Sequence, residues 1–229
     1  MAFRRKAAHI LKYEPDILIV PECEHPDKLV FPAGTPNPTD IVWFGKNRNK
    51  GLAILSYCDF RFTVLDIHNE SLQTIIPISV AKCNQEFLLF AIWANNPNDP
   101  DGPYVEQIWK ALHCYEKLLA GRKVILVGDF NSNTIWDKPR RKGNHSHVVN
   151  FLESKGILSA YHSYFSQTQG KEEHPTLYMY RHLDKTYHID YCFLSAYFTK
   201  KLVSVEVGDY DTWSQYSDHV PLIVNFNIR

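Results

Sequence analysis

The sequence lacks a charge bias. Among its 229 residues, lysine plus arginine and aspartate plus glutamate each number 25, so the formal net charge is zero with the 11 histidines neutral. No global field advertises a nucleic-acid partner. The five cysteines (Cys23, Cys58, Cys83, Cys114, Cys192) are odd in number, scattered and without a CxxC pair. That argues against a disulfide framework and a zinc knuckle, and it fits a reducing, cytoplasmic location. The opening MAFRRKAAHI is basic but has no apolar h-region or small-residue cleavage site behind it, and no run approaches the length of a membrane span. Secretion and membrane insertion are not expected. Repeats, low-complexity tracts and linkers are also missing. The Pro- and Asn-rich stretches at 32–40 and 95–103 read as turns within one domain spanning residues 1–229.

What is present is a succession of short apolar, β-branched runs. They fall at ILIVPE, IVWFG (41–45), GLAILS (51–56), FTVLD (62–66), TIIPISVA (74–81) and FLLFAIWA (87–94), separated by short polar turns that imply antiparallel hairpins. A helix is predicted over residues 2–13 from Phe3, Ala7, Ile10 and Leu11, stopped by Glu14-Pro15. Between FLLFAIWA and KVILVGDF, the positions Val105, Ile108, Trp109, Leu112 and Leu119 form one helical face, so these two strands should run parallel. A further helix fits HSHVVNFLESKG, ended by Gly156, and strands fit LYMY (177–180), IDYCFLS (189–195) and PLIVNFNI (221–228). Many apolar strands and few helices predict an α/β (α+β) fold of two sheets packed face to face with helices outside.

Several strands meet polar residues at their ends. ILIVPE ends at Glu22, FLLFAIWA runs into Asn95 and Asn96, and KVILVGDFN delivers Asp129 and Asn131. His188-Ile189-Asp190 opens one later strand and Ser217-Asp218-His219 precedes the last, so antiparallel strands would bring both to one rim. Ligands of sheet proteins with helical crossovers collect beyond strand ends. Carboxylates and amides form a hard, oxygen-rich set suited to Mg²⁺ or Mn²⁺, leaving His219 for chemistry. Each motif alone is an ordinary turn more often than a site. Their joint occurrence in this order, each joined to an apolar strand, is the signal.

On DILIVPE, GDFN, HIDY and the terminal SDHVP, the sequence resembles the endonuclease/exonuclease/phosphatase superfamily of metal-dependent phosphoesterases, which includes apurinic endonucleases and pancreatic-type deoxyribonucleases. The resemblance runs nearly end to end. It implies a four-layer sandwich of two mixed β-sheets flanked by helices. It also implies Glu22 as the main Mg²⁺ ligand with Asp218 in the metal shell. Asp129 would position and deprotonate the attacking water, and Asn131 would hold that water or a phosphate oxygen. His219 would donate to a phosphate oxygen, with Asp190 fixing its tautomer. The implied activity is divalent-metal-dependent phosphodiester hydrolysis by in-line water attack, on DNA or RNA. The alternatives are a phosphomonoesterase or small-molecule phosphodiesterase of the same fold, and a catalytically silent binding module. No obligate protein partner is evident.

Two departures from the family pattern stand out. Where the family has tyrosine or histidine before a Pro-Asn turn, this chain reads Trp93-Ala94-Asn95-Asn96. Asn96 remains a candidate phosphate contact, and the leaving-group acid is unassigned. The family's first strand, ending in a W-N-x-N type motif, has no counterpart before Met1, so an unpaired sheet edge and a thinner metal site are expected. Arg181 and Tyr178, near Asp190, are candidate substrate contacts. The basic loops GKNRNKG and DKPRRKGNHSH balance between a phosphate grip and plain solvation, His147 reads as packing or capping, and Trp43, Trp109 and Trp213 read as packing.

Overall fold

The computed structural model describes residues 3–31, 33–95 and 103–228. The chain opens with a 3₁₀ turn and the short α1 (Ala7–Ile10), then runs through β1 (Ile17–Cys23), β2 (Asp40–Asn47), β3 (Lys50–Ser56), β4 (Arg61–Val64), β5 (Ile75–Lys82) and β6 (Gln85–Trp93). Helices α2 (Val105–Cys114) and α3 (Glu116–Leu119) lead to β7 (Val124–Asp129), α4 (His145–Ser154), β8 (Ile157–Ser159) and α5 (Ala160–Phe165). The last part comprises β9 (Leu177–Tyr178), β10 (Thr186–Tyr187), β11 (Asp190–Ser195), α6 (Ala196–Thr199), β12 (Leu202–Val207), α7 (Tyr210–Trp213) and β13 (Leu222–Phe226).

Alternation of side chains along the strands builds the layers. A six-stranded sheet, ordered β4-β5-β6-β7-β11-β8, forms the centre. One face, with Leu88, Phe90, Ile92 and Phe193, packs on Ile108 and Leu112 of α2 and Val148 and Leu152 of α4. Its other face, with Leu89, Ala91 and Ile125, packs on Leu52 and Ile54 of β3 and on Val224 of β13. Above that second layer, α1 and Trp213 close on Val20, Ala53 and Leu55. The result is the expected four-layer sandwich, with β6 and β7 parallel as their intervening helix requires.

The second layer is split. β1-β3-β2 is a three-stranded sheet and β12-β13 a separate pair. β1 lies over β6 and β7 while β13 lies over β11, so they sit side by side in this layer. Among the described residues, no ladder joins them. A cavity of about 400 Å³ runs between them, apolar along most of its length and polar at the end where β1 finishes and β13 begins.

Two sequence expectations are corrected. The helix over 2–13 is a 3₁₀ turn, one turn of α-helix and a second 3₁₀ turn, ended by Glu14 at φ 49°. Its first turn is instead tied down by the buried Glu24, whose carboxylate accepts from Phe3 N–H at 2.7 Å. The strand over 177–180 stops at Tyr178, because Tyr180 and Arg181 adopt φ of 56° and 61°, which ends the ladder. β8 and α5 are too short to be read from apolar periodicity, while β12, LVSVEV, carries an apolar-polar alternation and is an addition to the expected strands.

Candidate active site

Register brings the polar strand ends level. Asp129, the last residue of β7, lies opposite Trp93 of β6 and opposite Asp190, the first residue of β11. β7 can approach β6 this closely only because residue 128 is glycine. Gly128 has φ 138°, and a Cβ there would sit 1.9 Å from the Ile92 carbonyl oxygen.

Asp129 is 4% exposed and both its oxygens are held by Asn131. The Asn131 backbone N–H donates to Oδ1 and its Nδ2 to Oδ2, each at 2.9 Å, while Nδ2 also donates to the Ala94 carbonyl at 2.9 Å. Asn131 takes φ 46°, a left-handed conformation asparagine tolerates better than most residues, so the turn folds back on its own aspartate. Across the rim, His219 Nδ1 donates to Asp190 Oδ2 at 2.9 Å. This bond fixes the ring and leaves Nε2 free of it. Ligand atoms of Asp129, Asp190 and His219 lie within 4.8 Å of one another.

The electrostatics follow from this packing. Burial first, then the charge of Asp190, raises the Asp129 pKa above the usual carboxylate range, against the pull of His219. Burial alone would lower His219, but the Asp190 carboxylate in contact, with Asp129 and Asp218 nearby, outweighs it and raises the imidazole pKa. The site therefore pairs a carboxylate made more basic with an imidazole held in its charged form.

The other expected site residues are placed differently. Glu22 lines the same cavity, but its carboxylate pairs with Lys50 Nζ at 2.7 Å from a bulged backbone at φ 59°. Asp218 is exposed on the cavity wall. Tyr178 packs at a tilt against Tyr210 with ring centroids 4.9 Å apart, outside the cavity lining. Arg181 is exposed, and its carbonyl accepts from Tyr210 Oη at 2.7 Å. Asn96 lies outside the described residues. In the basic loops Arg48 pairs with Asp27 and Arg141 donates to Asn144 Oδ1 at 2.8 Å, while Lys46, Lys138, Arg140 and Lys142 are exposed. His147 completes a capping box with Asn144 and packs on Trp109.

Four supporting residues escape sequence reasoning. The buried Thr176 hydroxyl accepts from both Ile189 and Asp190 N–H at 3.0 Å, setting the start of β11. Asn133 Nδ2 donates to Glu172 Oε2 at 3.1 Å and to the His188 carbonyl at 3.0 Å, anchoring the loop after Asn131. The buried His145 meets Ser132 Oγ at 2.8 Å. Lys6 lines the cavity beside Asp218 and His219. Thr176 and Lys6 sit in no motif and reach the site across a long sequence separation, whereas Asn133 follows GDFN by two residues and His145 lies in the basic loop DKPRRKGNHSH.

A cluster of carboxylates and one oriented imidazole, at one end of a four-layer sandwich, defines the phosphoesterase type of α/β sandwich. The chain belongs to the Endonuclease/Exonuclease/phosphatase family, whose pattern matches residues 7–219. Among solved structures, it is similar to a 3′ phosphatase from Neisseria bound to a product DNA hairpin, at 18% identity and TM-score 0.67, covering 99% of this chain and 96% of that one. It is also similar to an AP endonuclease from Archaeoglobus fulgidus, at 17% identity and TM-score 0.68, covering 98% and 94%. The endonuclease domain of TRAS1, a telomere-specific non-LTR retrotransposon, matches at 15% identity and TM-score 0.62, covering 98% and 91%. At these identities the likeness is one of fold. No curated protein matches the chain by sequence. Among the described residues, no helix is long and apolar enough to cross a membrane.

Proposed function

We propose that this chain is a divalent-metal-dependent phosphodiester hydrolase acting on DNA or RNA. The observation that carries this reading is the cluster of Asp129, Asp190 and His219, with ligand atoms within 4.8 Å of one another at the rim of a phosphoesterase fold. The carboxylates around the rim form an oxygen-rich donor set, which fits Mg²⁺ or Mn²⁺. Glu22 and Asp218, on the wall of the same cavity, would hold the cation. When bound, it supplies Lewis-acid charge to a phosphoryl oxygen and lowers the pKa of a coordinated water.

The chain's own groups do the rest. Asp129, held on both oxygens by Asn131, orients the attacking water and accepts its proton. A free aspartate near pKa ~4 is a weak base, and burial beside Asp190 moves Asp129 toward the working range. His219, cationic and aligned by Asp190, donates to a non-bridging oxygen as charge builds there. The consecutive left-handed residues Tyr180 and Arg181 hold an exposed guanidinium on the loop leading to Asp190, where it serves as a backbone-phosphate contact. Five free cysteines support a reducing, cytoplasmic setting.

Zero net charge favours a second reading, a small phosphate ester as substrate. The pairing of Glu22 with Lys50 favours a third, a silent binding module. One experiment separates them: incubation with Mg²⁺ or Mn²⁺ and a panel of single- and double-stranded DNA, RNA, abasic DNA and small phosphate esters. Hydrolysis of a polynucleotide that EDTA abolishes is the expected result. Turnover of small esters alone moves the assignment to the second reading, and binding without turnover to the third.

A further inference from the structure

Lys6 is a partly buried basic residue that the cluster of Asp129, Asp190 and His219 does not use. Its backbone is pinned on both sides: its N–H donates to the Phe3 carbonyl at 2.9 Å, and its own carbonyl accepts from His9 N–H at 3.0 Å and Ile10 N–H at 3.1 Å. The turn before it is clamped by Glu24, which accepts from Phe3 N–H and binds Arg4 Nη1 at 2.8 Å. From this fixed base the side chain enters the cavity lined by Asp129, Asp190, Asp218 and His219.

An ammonium has three donors. Lys6 Nζ makes one long side-chain hydrogen bond, to Ser217 Oγ at 3.5 Å, and Ser217 Oγ also accepts from His219 N–H at 3.2 Å. Among the described residues, no carboxylate forms an ion pair with Lys6, although Asp218, Glu22 and Asp190 are close enough to act on its charge. Desolvation in the cavity lowers the Lys6 pKa against the pull of Asp218 and Glu22, so an anion in contact with Nζ would stabilise its charged form. A tetrahedral anion is the ligand that suits unspent ammonium donors beside an imidazolium. Carboxylates alone would repel that anion, so the site needs cationic groups of its own.

We propose that Lys6 is a further catalytic residue, donating to a non-bridging oxygen of the scissile phosphate alongside His219. This rests on the phosphoesterase reading. The competing role is charge balance, in which Lys6 neutralises the carboxylates and yields to the metal.

The test compares the wild type with Lys6→Met, Lys6→Gln and Lys6→Arg, after thermal melts establish that each is folded. Two readouts are taken: binding of inorganic phosphate in EDTA, followed by ³¹P line width, and steady-state hydrolysis of the best ester across a Mg²⁺ titration. The expected result for Lys6→Met and Lys6→Gln is phosphate binding weakened about tenfold and kcat lowered about 10²-fold, with the half-saturating Mg²⁺ concentration unchanged. Lys6→Arg should retain phosphate binding. Unchanged phosphate binding and kcat in Lys6→Met overturns the role of Lys6 alone, as does a lower half-saturating Mg²⁺ concentration with kcat preserved. Absence of turnover by the wild type on every ester overturns the phosphoesterase reading and the catalytic role with it.

Discussion

A buried aspartate with both oxygens committed to Asn131 cannot swing to meet a substrate, so at the residue scale the site depends on placement rather than adaptability. Asn131→Ala should therefore lower kcat by about 10- to 100-fold and, by leaving Asp129 Oδ2 and the Ala94 carbonyl without their donor, cost about 1–3 kcal/mol of stability, read by steady-state kinetics beside urea denaturation. Thr176→Val leaves the Ile189 and Asp190 amides without their acceptor. It should cost about 1–3 kcal/mol by urea denaturation and reduce activity through Asp190. His145 gives a pH signature. Burial lowers its pKa from 6.5 to about 4, and burial lowers His188 as well. A histidine depressed in the folded state contributes stability that is present above its unfolded pKa and lost as pH falls through the folded value. Urea stability should thus fall by on the order of 2–3 kcal/mol between pH 6.5 and 4, and His145→Gln should flatten that slope. Asp129, Asp190 and His219 were legible because each adjoins an apolar strand within a short motif. Thr176, Glu172, His145 and Lys6 were not, because their roles arise only when distant segments meet.

At the element scale, apolar runs bounded by turns located the long strands, and a helix between two of them fixed the parallel pair. The short elements failed for a physical reason. Leu177–Tyr178 was marked by the run LYMY, but its two-residue partner Thr186–Tyr187 is held by the surrounding loops, and local propensity does not announce it. β6 and β7 meet so closely at Gly128 that Gly128→Ala should lower the melting temperature sharply or prevent folding, since its Cβ would overlap the Ile92 carbonyl. Circular dichroism melts read this directly. The split second layer predicts uneven exchange. Amides of Ile17–Val20 and Leu222–Phe226 that face the cavity edge should exchange faster than those of β6 and β7, as measured by residue-resolved hydrogen exchange.

At the scale of the whole molecule, four layers bring the ends of β1, β7, β11 and the approach to β13 to one rim, and Glu22, Asp129, Asp190, Asp218 and His219 collect there while the lining farther in is mostly apolar. Composition could exclude a strongly basic coat but could not show where the few decisive charges gather. With zero net charge, polynucleotide binding would have to come from local phosphate contacts, so a nuclease should show a steep fall of affinity with salt, and a small-ester enzyme a shallow one. The central claim is that Asp129 and His219 act on a phosphate ester in a metal-dependent site. The most direct measurement is kcat of the wild type, Asp129→Asn and His219→Ala on the same ester at saturating Mg²⁺ or Mn²⁺. The account predicts losses of roughly 10²- to 10⁴-fold in each variant; wild-type rates in both would contradict it.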